Sequence, residues 1–211
     1  MKTEDLIRAL AADGTQPVSP IARTLLNALL GGTALSLGLF AVMLHPRDDL
    51  MQALHTPAFI FKLLVAAALT ATAATLLSQT ARPLPPLRSY SILMLAPALL
   101  GAGVVVDLWV MPAHTWFSRL IGHNALHCLA AIPLLSLPMM ACLLVALMRG
   151  APKQAAVAGA VAGLVSGGLG AALYALTCPD DSPLFVGTWY SIAVVLVTGA
   201  STYIGTRALR W

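Results

Sequence analysis

Residues 122–128, "GHNALHC", bring two imidazoles and a thiol into one short segment. His123 and His127 are four residues apart, so on a helix they share one face about one turn apart, and Cys128 follows directly. Imidazole and thiolate are ligands that Zn²⁺ and softer metal ions prefer. Two interpretations stay open: a metal site, or interfacial histidines that bind nothing.

A second stretch, "CPDDSP", starts at Cys178 and contains Asp180 and Asp181, the only acidic residues after Asp107. Ser182 and Pro183 are typical of the cap and first position of a helix. We expect both carboxylates to face the positive end of that helix. They also extend the candidate ligands for a transient zinc or other soft heavy-metal ion, although the sequence requires no cofactor.

The two thiols are expected to differ in reactivity. Cys128 lies in the first turns of a predicted helix, where the dipole favours thiolate. Cys178 closes the fifth predicted span, where the dipole has the opposite sign, and two carboxylates follow it, so its thiolate should be disfavoured. Outside the cytoplasm, such a pair can form a disulfide; two unrelated interfacial cysteines are the alternative.

The composition is that of an integral membrane protein. Of 211 residues, 59% are hydrophobic and 9% are charged, against about 25% charged in soluble domains, and the mean hydropathy is +0.85. The apolar runs are about 20 residues long, enough to cross the hydrocarbon core as helices. The sequence therefore predicts an all-α, polytopic membrane protein with spans at 23–44, 58–79, 89–111, 124–148, 154–177 and 183–206.

The distribution of basic residues predicts that both termini are cytoplasmic. In that orientation two arginines, Arg47 and Arg119, lie outside. Nine basic residues lie inside: Lys2, Arg8, Arg23, Arg82, Arg88, Arg149, Lys153, Arg207 and Arg210. The histidines, Cys128 and Cys178 then belong to the outer side. Because the basic residues are scattered, the net charge of +4 does not indicate binding to nucleic acid.

Two charged residues fall within predicted spans. Lys62 lies five residues after Pro57, and Asp107 lies five residues before Pro112. Antiparallel neighbouring helices would place both near the outer interface, where an unpaired charge is costly. The sequence predicts a structural ion pair between Lys62 and Asp107; a proton or ion path is the alternative.

The N-terminal residues predict a short amphipathic helix before the first span. Leu6, Ile7 and Leu10 form an apolar strip, and Arg8 can pair with Glu4. A helix this short needs a surface on which to dock; its acidic character favours a protein partner over lipid. The predicted organisation is an arm and tether at 1–22, a bundle at 23–206 and a tail at 207–211.

The order of "MKTEDLIRALAADG", an "HC" opening the fourth span and then "IPLLSLP", "RGAP" and "CPDDSPLFVGTWY" resembles the negative-regulator-of-sigma-F family. These are six-span anti-sigma factors of the bacterial inner membrane. The resemblance implies that this chain holds an extracytoplasmic-function sigma factor and releases it under heavy-metal or oxidative stress. It also implies that Cys128 and Cys178 are the sensor and that the arm contributes to sigma binding.

Two alternatives accompany this interpretation. A membrane thiol–disulfide oxidoreductase would usually carry two cysteine pairs to relay electrons, whereas this chain has one outer pair and the inner Cys142. A metal transporter would carry polar residues near the middle of several spans. The chain shows neither the second cysteine pair nor the polar residues at mid-membrane depth, so it is expected to be neither an enzyme nor a transporter.

A row of glycines at residues 159, 163 and 167 permits close packing within the bundle or in a homodimer.

Overall fold

Six long helices form the fold, and each is long and apolar enough to cross a membrane. The structure, a computed structural model, describes residues 21–80, 91–150, 152 and 154–209. The helices are α1 (Ile21–Met43), α2 (Leu50–Ala53), α3 (Pro57–Thr80), α4 (Leu95–Val110), α5 (Trp116–Ile121), α6 (Ala125–Met148), α7 (Ala155–Ala175) and α8 (Pro183–Ala208). Helices α2 and α5 are short and lie in connections. The all-α, six-span prediction is confirmed.

The predicted cytoplasmic arm, with its candidate partner-binding residues Leu6, Ile7, Arg8 and Leu10, lies outside the described residues. The connection at residues 81–90 also lies outside them.

Helix α7 is the centre of the bundle and contacts α3, α6 and α8. Its glycines permit this because they leave room for neighbouring backbones. A Cβ on Gly163 would lie 2.6 Å from Thr198 Cα on α8, and one on Gly168 would lie 3.0 Å from Thr70 N on α3. Small residues at such contacts are typical of membrane helices. The glycine row that includes Gly163 therefore packs within the bundle.

The remaining long helices pack around this centre. Helix α1 packs on α6, where Gly32 lies against Met139, and α4 packs on α3. We call the end that carries connections 44–56, 111–124 and 176–182 the thiol end. The opposite end, where α1 begins and α6 and α8 end, we call the basic end.

Helix α8 begins as the "CPDDSP" sequence predicts, with Ser182 at the N-cap and Pro183 in the first turn. The Ser182 hydroxyl, however, makes no capping hydrogen bond. It donates instead to Asp107 Oδ2 at 3.1 Å. A π-helical turn follows at Val186–Tyr190. Such turns are rare in proteins, and those that occur often lie at functional sites.

Candidate functional site

The carboxylate of Asp181 lies between two cations at the thiol end. Lys62 on α3 is 0% exposed, and its Nζ donates to Asp181 Oδ1 at 2.5 Å. Arg47 Nη1, from the connection after α1, donates to Asp181 Oδ2 at 2.9 Å. Lys62 Nζ also donates to the Cys178 carbonyl at 2.9 Å. Ion pairs thus join connection 176–182 to α3 and to the connection that follows α1.

The predicted ion pair between Lys62 and Asp107 is wrong. Asp107 instead accepts from Arg119 Nη2 at 2.6 Å and from Ser182. Helix α5 folds back beside the end of α4, which brings Arg119 to Asp107, while connection 176–182 carries Asp181 to Lys62. Both intramembrane charges are paired, as their cost in a low-dielectric medium requires, but each has a partner from a connection.

Asp180 stabilises the start of α6. Its Oδ2 accepts from the backbone N–H groups of His123 and Asn124, both at 3.0 Å, and from Asn124 Nδ2 at 3.1 Å. A carboxylate at a helix N-terminus is favourable for the dipole and satisfies free N–H groups. The expectation that Asp180 and Asp181 face the start of α8 is therefore wrong. Asp180 accepts hydrogen bonds at the start of α6, and Asp181 pairs with Lys62 and Arg47.

Gly122 makes the approach of Asp180 possible. Its φ is 57°, in the region that favours glycine. A Cβ at this position would lie 2.6 Å from the Phe185 ring and 3.0 Å from Asp180 Cγ. Phe185 is fully buried, so the ring has little room to move. The first letter of "GHNALHC" therefore has a structural role that sequence reasoning missed.

Arg47 is a second residue that sequence reasoning counted only as a charge. Besides Asp181 it contacts both carboxylate oxygens of Asp49, at 2.5 and 2.7 Å. Hydrogen bonding to Asp49 raises the pKa of Arg47, and the guanidinium in turn lowers the pKa of Asp49. Arg47 N also donates to the Leu176 carbonyl at 3.1 Å. The available signal was that only two arginines, Arg47 and Arg119, lie on the less basic side of the predicted topology.

Both candidate sensor thiols are buried in one apolar cluster. Cys128 is 0% exposed and Cys178 is 1% exposed, and they pack with Tyr174, Phe185 and Tyr190. Both cysteines are free thiols. Among the described residues, the buried Tyr190 hydroxyl has no hydrogen-bond partner of ordinary geometry. The structure thus brings the two cysteines into one cluster but closes it to solvent.

Burial is the main influence on the Cys178 thiol. It raises the pKa of Cys178, while the nearby charge of Lys62 acts in the opposite direction. The predicted direction, a disfavoured thiolate, agrees with this, but the largest cause is desolvation and not the helix end. Preferential attack by Cys128 stays a prediction, and burial means that a reagent must first gain access.

The six candidate metal ligands do not converge in this structure. Within the described residues, no three His, Cys, Asp or Glu side chains are placed to hold a metal ion. The His123 side chain is 95% exposed and His127 is exposed, whereas Cys128 points into the core. His123 lies before α6, ahead of the N-cap Asn124, and His127 lies on an exposed face of α6 while Cys128 lies on a buried one. Asp180 and Asp181 are meanwhile occupied by the contacts given above, so the predicted ligand set is not assembled.

These features define a class: a six-span helical membrane protein with two buried thiols beside an ion-paired connection. Over residues 10–211 the chain matches the family described as "Negative regulator of sigma F". The chain belongs to this family. The resemblance drawn from the sequence motifs is confirmed.

Two relatives align with the full length of the chain. It is 35% identical over 216 residues to "Anti-sigma-F factor NrsF" of Caulobacter vibrioides (strain NA1000 / CB15N), with all of both chains covered. It is 30% identical over 220 residues to "Probable anti-sigma-F factor NrsF" of Azospira oryzae (strain ATCC BAA-33 / DSM 13638 / PS), again over all of both chains. No solved structure matches the chain.

Proposed function

We propose that this chain is an anti-sigma factor that holds an extracytoplasmic-function sigma factor at the bacterial inner membrane. The observation that carries the proposal is the family match over residues 10–211, together with the names of two full-length relatives. The match favours a regulatory protein over an oxidoreductase or a transporter. The six apolar helices supply the membrane anchor.

The sigma factor would bind on the cytoplasmic side. The excess of basic residues on that side supports cytoplasmic termini by the positive-inside rule. The arm, through Leu6, Ile7, Arg8 and Leu10, supplies an amphipathic surface of the kind that docks in a groove of a partner protein. Direct contact with nucleic acid is not required, because the sigma factor itself is the target.

The stress signal would act at the thiol end. A two-electron oxidant takes two electrons and two protons from Cys128 and Cys178, leaving a disulfide; a soft metal ion bound to both thiolates is the alternative signal. Both cysteines must leave their present packing to react, because they are closed to solvent. Such a change shifts sigma binding only as far as the two conformations differ in affinity for sigma.

Connection 176–182 is the element through which the change would reach the bundle. Cys178 lies in it between α7 and α8. Asp180 ties it to α6, and Asp181 ties it to α3. A reaction at Cys178 therefore disturbs groups that belong to four long helices at once.

An affinity purification from the native host tests the anti-sigma proposal. Full-length protein and a variant lacking residues 1–20 are solubilised and purified in parallel, and retained proteins are identified by mass spectrometry. We expect a sigma factor with the full-length protein and less or none with the shortened one. Absence of any sigma factor from both samples would contradict the proposal.

A further inference from the structure

A groove at the basic end, remote from Cys128 and Cys178, is formed by α1 and α6. Its volume is about 430 Å³. Arg23, near the start of α1, and Arg149, directly after the end of α6, line it together with Thr24, Asn27 and Cys142. None of these residues has a role in the function proposed above.

Within the part of the chain that the structure describes, the two arginines of the groove have no carboxylate partner. Both are exposed, and they line the same groove from facing helices. Two guanidinium groups around one space are suited to a phosphate, which guanidinium binds with bidentate geometry.

The polarity of the groove changes with depth in the order that a phospholipid requires. On α1, Asn27 lies one turn beyond Arg23, about 6 Å along the helix. On α6, Val145 and then Cys142 lie about 6 and 10 Å below Arg149. Below the charged rim, the groove has the Thr24 hydroxyl and the Asn27 amide on its α1 side and the apolar Val145 on its α6 side, with Cys142 deeper.

We infer that this groove binds the headgroup of an anionic phospholipid. Arg23 and Arg149 hold the phosphate, Thr24 and Asn27 donate hydrogen bonds to the glycerol and ester oxygens, and the apolar wall receives the start of an acyl chain. Basic pockets between transmembrane helices are known to bind anionic headgroups. A free phosphate would use the arginines but would leave the apolar wall empty. This inference goes beyond the anti-sigma proposal and does not depend on it.

Native mass spectrometry of the full-length protein in neutral detergent tests the inference. The protein is titrated with equal amounts of phosphatidylglycerol and phosphatidylcholine that carry the same acyl chains. We expect preferential retention of phosphatidylglycerol. Arg23→Gln or Arg149→Gln should lower this preference about fivefold each, since a basic residue near an anionic lipid surface contributes on the order of 1 kcal/mol, and the double variant should lower it further.

Arg207→Gln is the matched control, because Arg207 is exposed at the end of α8, lies over the Tyr203 ring and does not line the groove. It should retain the parent's preference, and all variants should keep the parent's helicity and phosphatidylcholine binding. An unchanged preference in the double variant, or an equal loss in Arg207→Gln, would overturn the inference. Equally strong binding of soluble glycerol 3-phosphate would show a soluble anion as the occupant and would also overturn it.

Discussion

Asp181 is the residue that holds the thiol-end site together. Its two oxygens face Lys62 and Arg47, and Lys62 is completely buried. A buried pair is not in itself a large source of stability, because desolvation opposes the attraction. Removing one partner is different, since it leaves the other charge buried without compensation.

Asp181→Asn is therefore expected to destabilise the protein by about 3 kcal/mol, measured as a fall in the melting temperature in detergent. Asp49→Asn is the control: it removes a carboxylate that also contacts Arg47 but whose side chain is 51% exposed, so solvent screens the loss. Equal falls in melting temperature for the two variants would show that the burial of Lys62 does not raise the cost of removing its partner.

The raised pKa of Cys178 gives a second prediction at this scale. In a variant with Cys128→Ser and Cys142→Ser, only Cys178 can react with iodoacetamide. Thiolate is the reactive form, and burial favours the protonated form in the folded state. The alkylation rate of the folded protein should thus still be rising with pH where the rate of the unfolded protein has levelled off, above its usual pKa of about 8.5.

The same variant in denaturing detergent supplies the unfolded reference. The prediction fails if the folded protein's alkylation midpoint lies at or below that reference.

Among the elements, connection 176–182 depends on how closely α5 and α6 approach it at Gly122. Gly122→Ala would place a methyl group against Phe185 and Asp180 and would force a side chain into a positive-φ conformation. We expect a loss of about 2 kcal/mol, seen as a lower melting temperature. Gly101→Ala on α4 is the control, since nothing lies within 4 Å of its added Cβ. Similar melting temperatures for the two variants would contradict the role of Gly122.

The elements also show what the sequence could and could not predict. The six helices follow from apolar runs, because backbone groups in lipid must be satisfied within each helix. The ion-pair partners of Lys62 and Asp107 could not be predicted from the sequence, because they depend on how two connections fold across the bundle. A lysine five residues into a span indicates that it needs an anion. It does not indicate that Asp181, which is 119 residues away in the chain, supplies it.

The candidate ligands show the same limit. The spacing of His123 and His127 predicts that they share one face of a helix, but α6 begins at Ala125 and His123 precedes its N-cap, Asn124. The orientation of α6 depends on its packing against α7, and this packing turns Cys128 inward and leaves the His127 imidazole exposed.

For the whole molecule, the basic residues predict that the thiol end faces away from the cytoplasm. In a cysteine-free background, Asp48→Cys at the thiol end should react with a membrane-impermeant maleimide in intact cells. Arg207→Cys at the basic end should react only after the membrane is permeabilised. Both positions are exposed, so exposure does not bias the comparison. The reverse pattern would show that the orientation is inverted.

We propose that the buried thiols at one end of the bundle control sigma binding at the other. The most direct measurement is the amount of sigma factor that remains bound to the purified complex before and after treatment with the thiol oxidant diamide. We expect release from the parent protein and from Cys142→Ser, whose thiol lies outside the site, and retention by Cys128→Ser and by Cys178→Ser. Release from all four proteins to the same extent would contradict it.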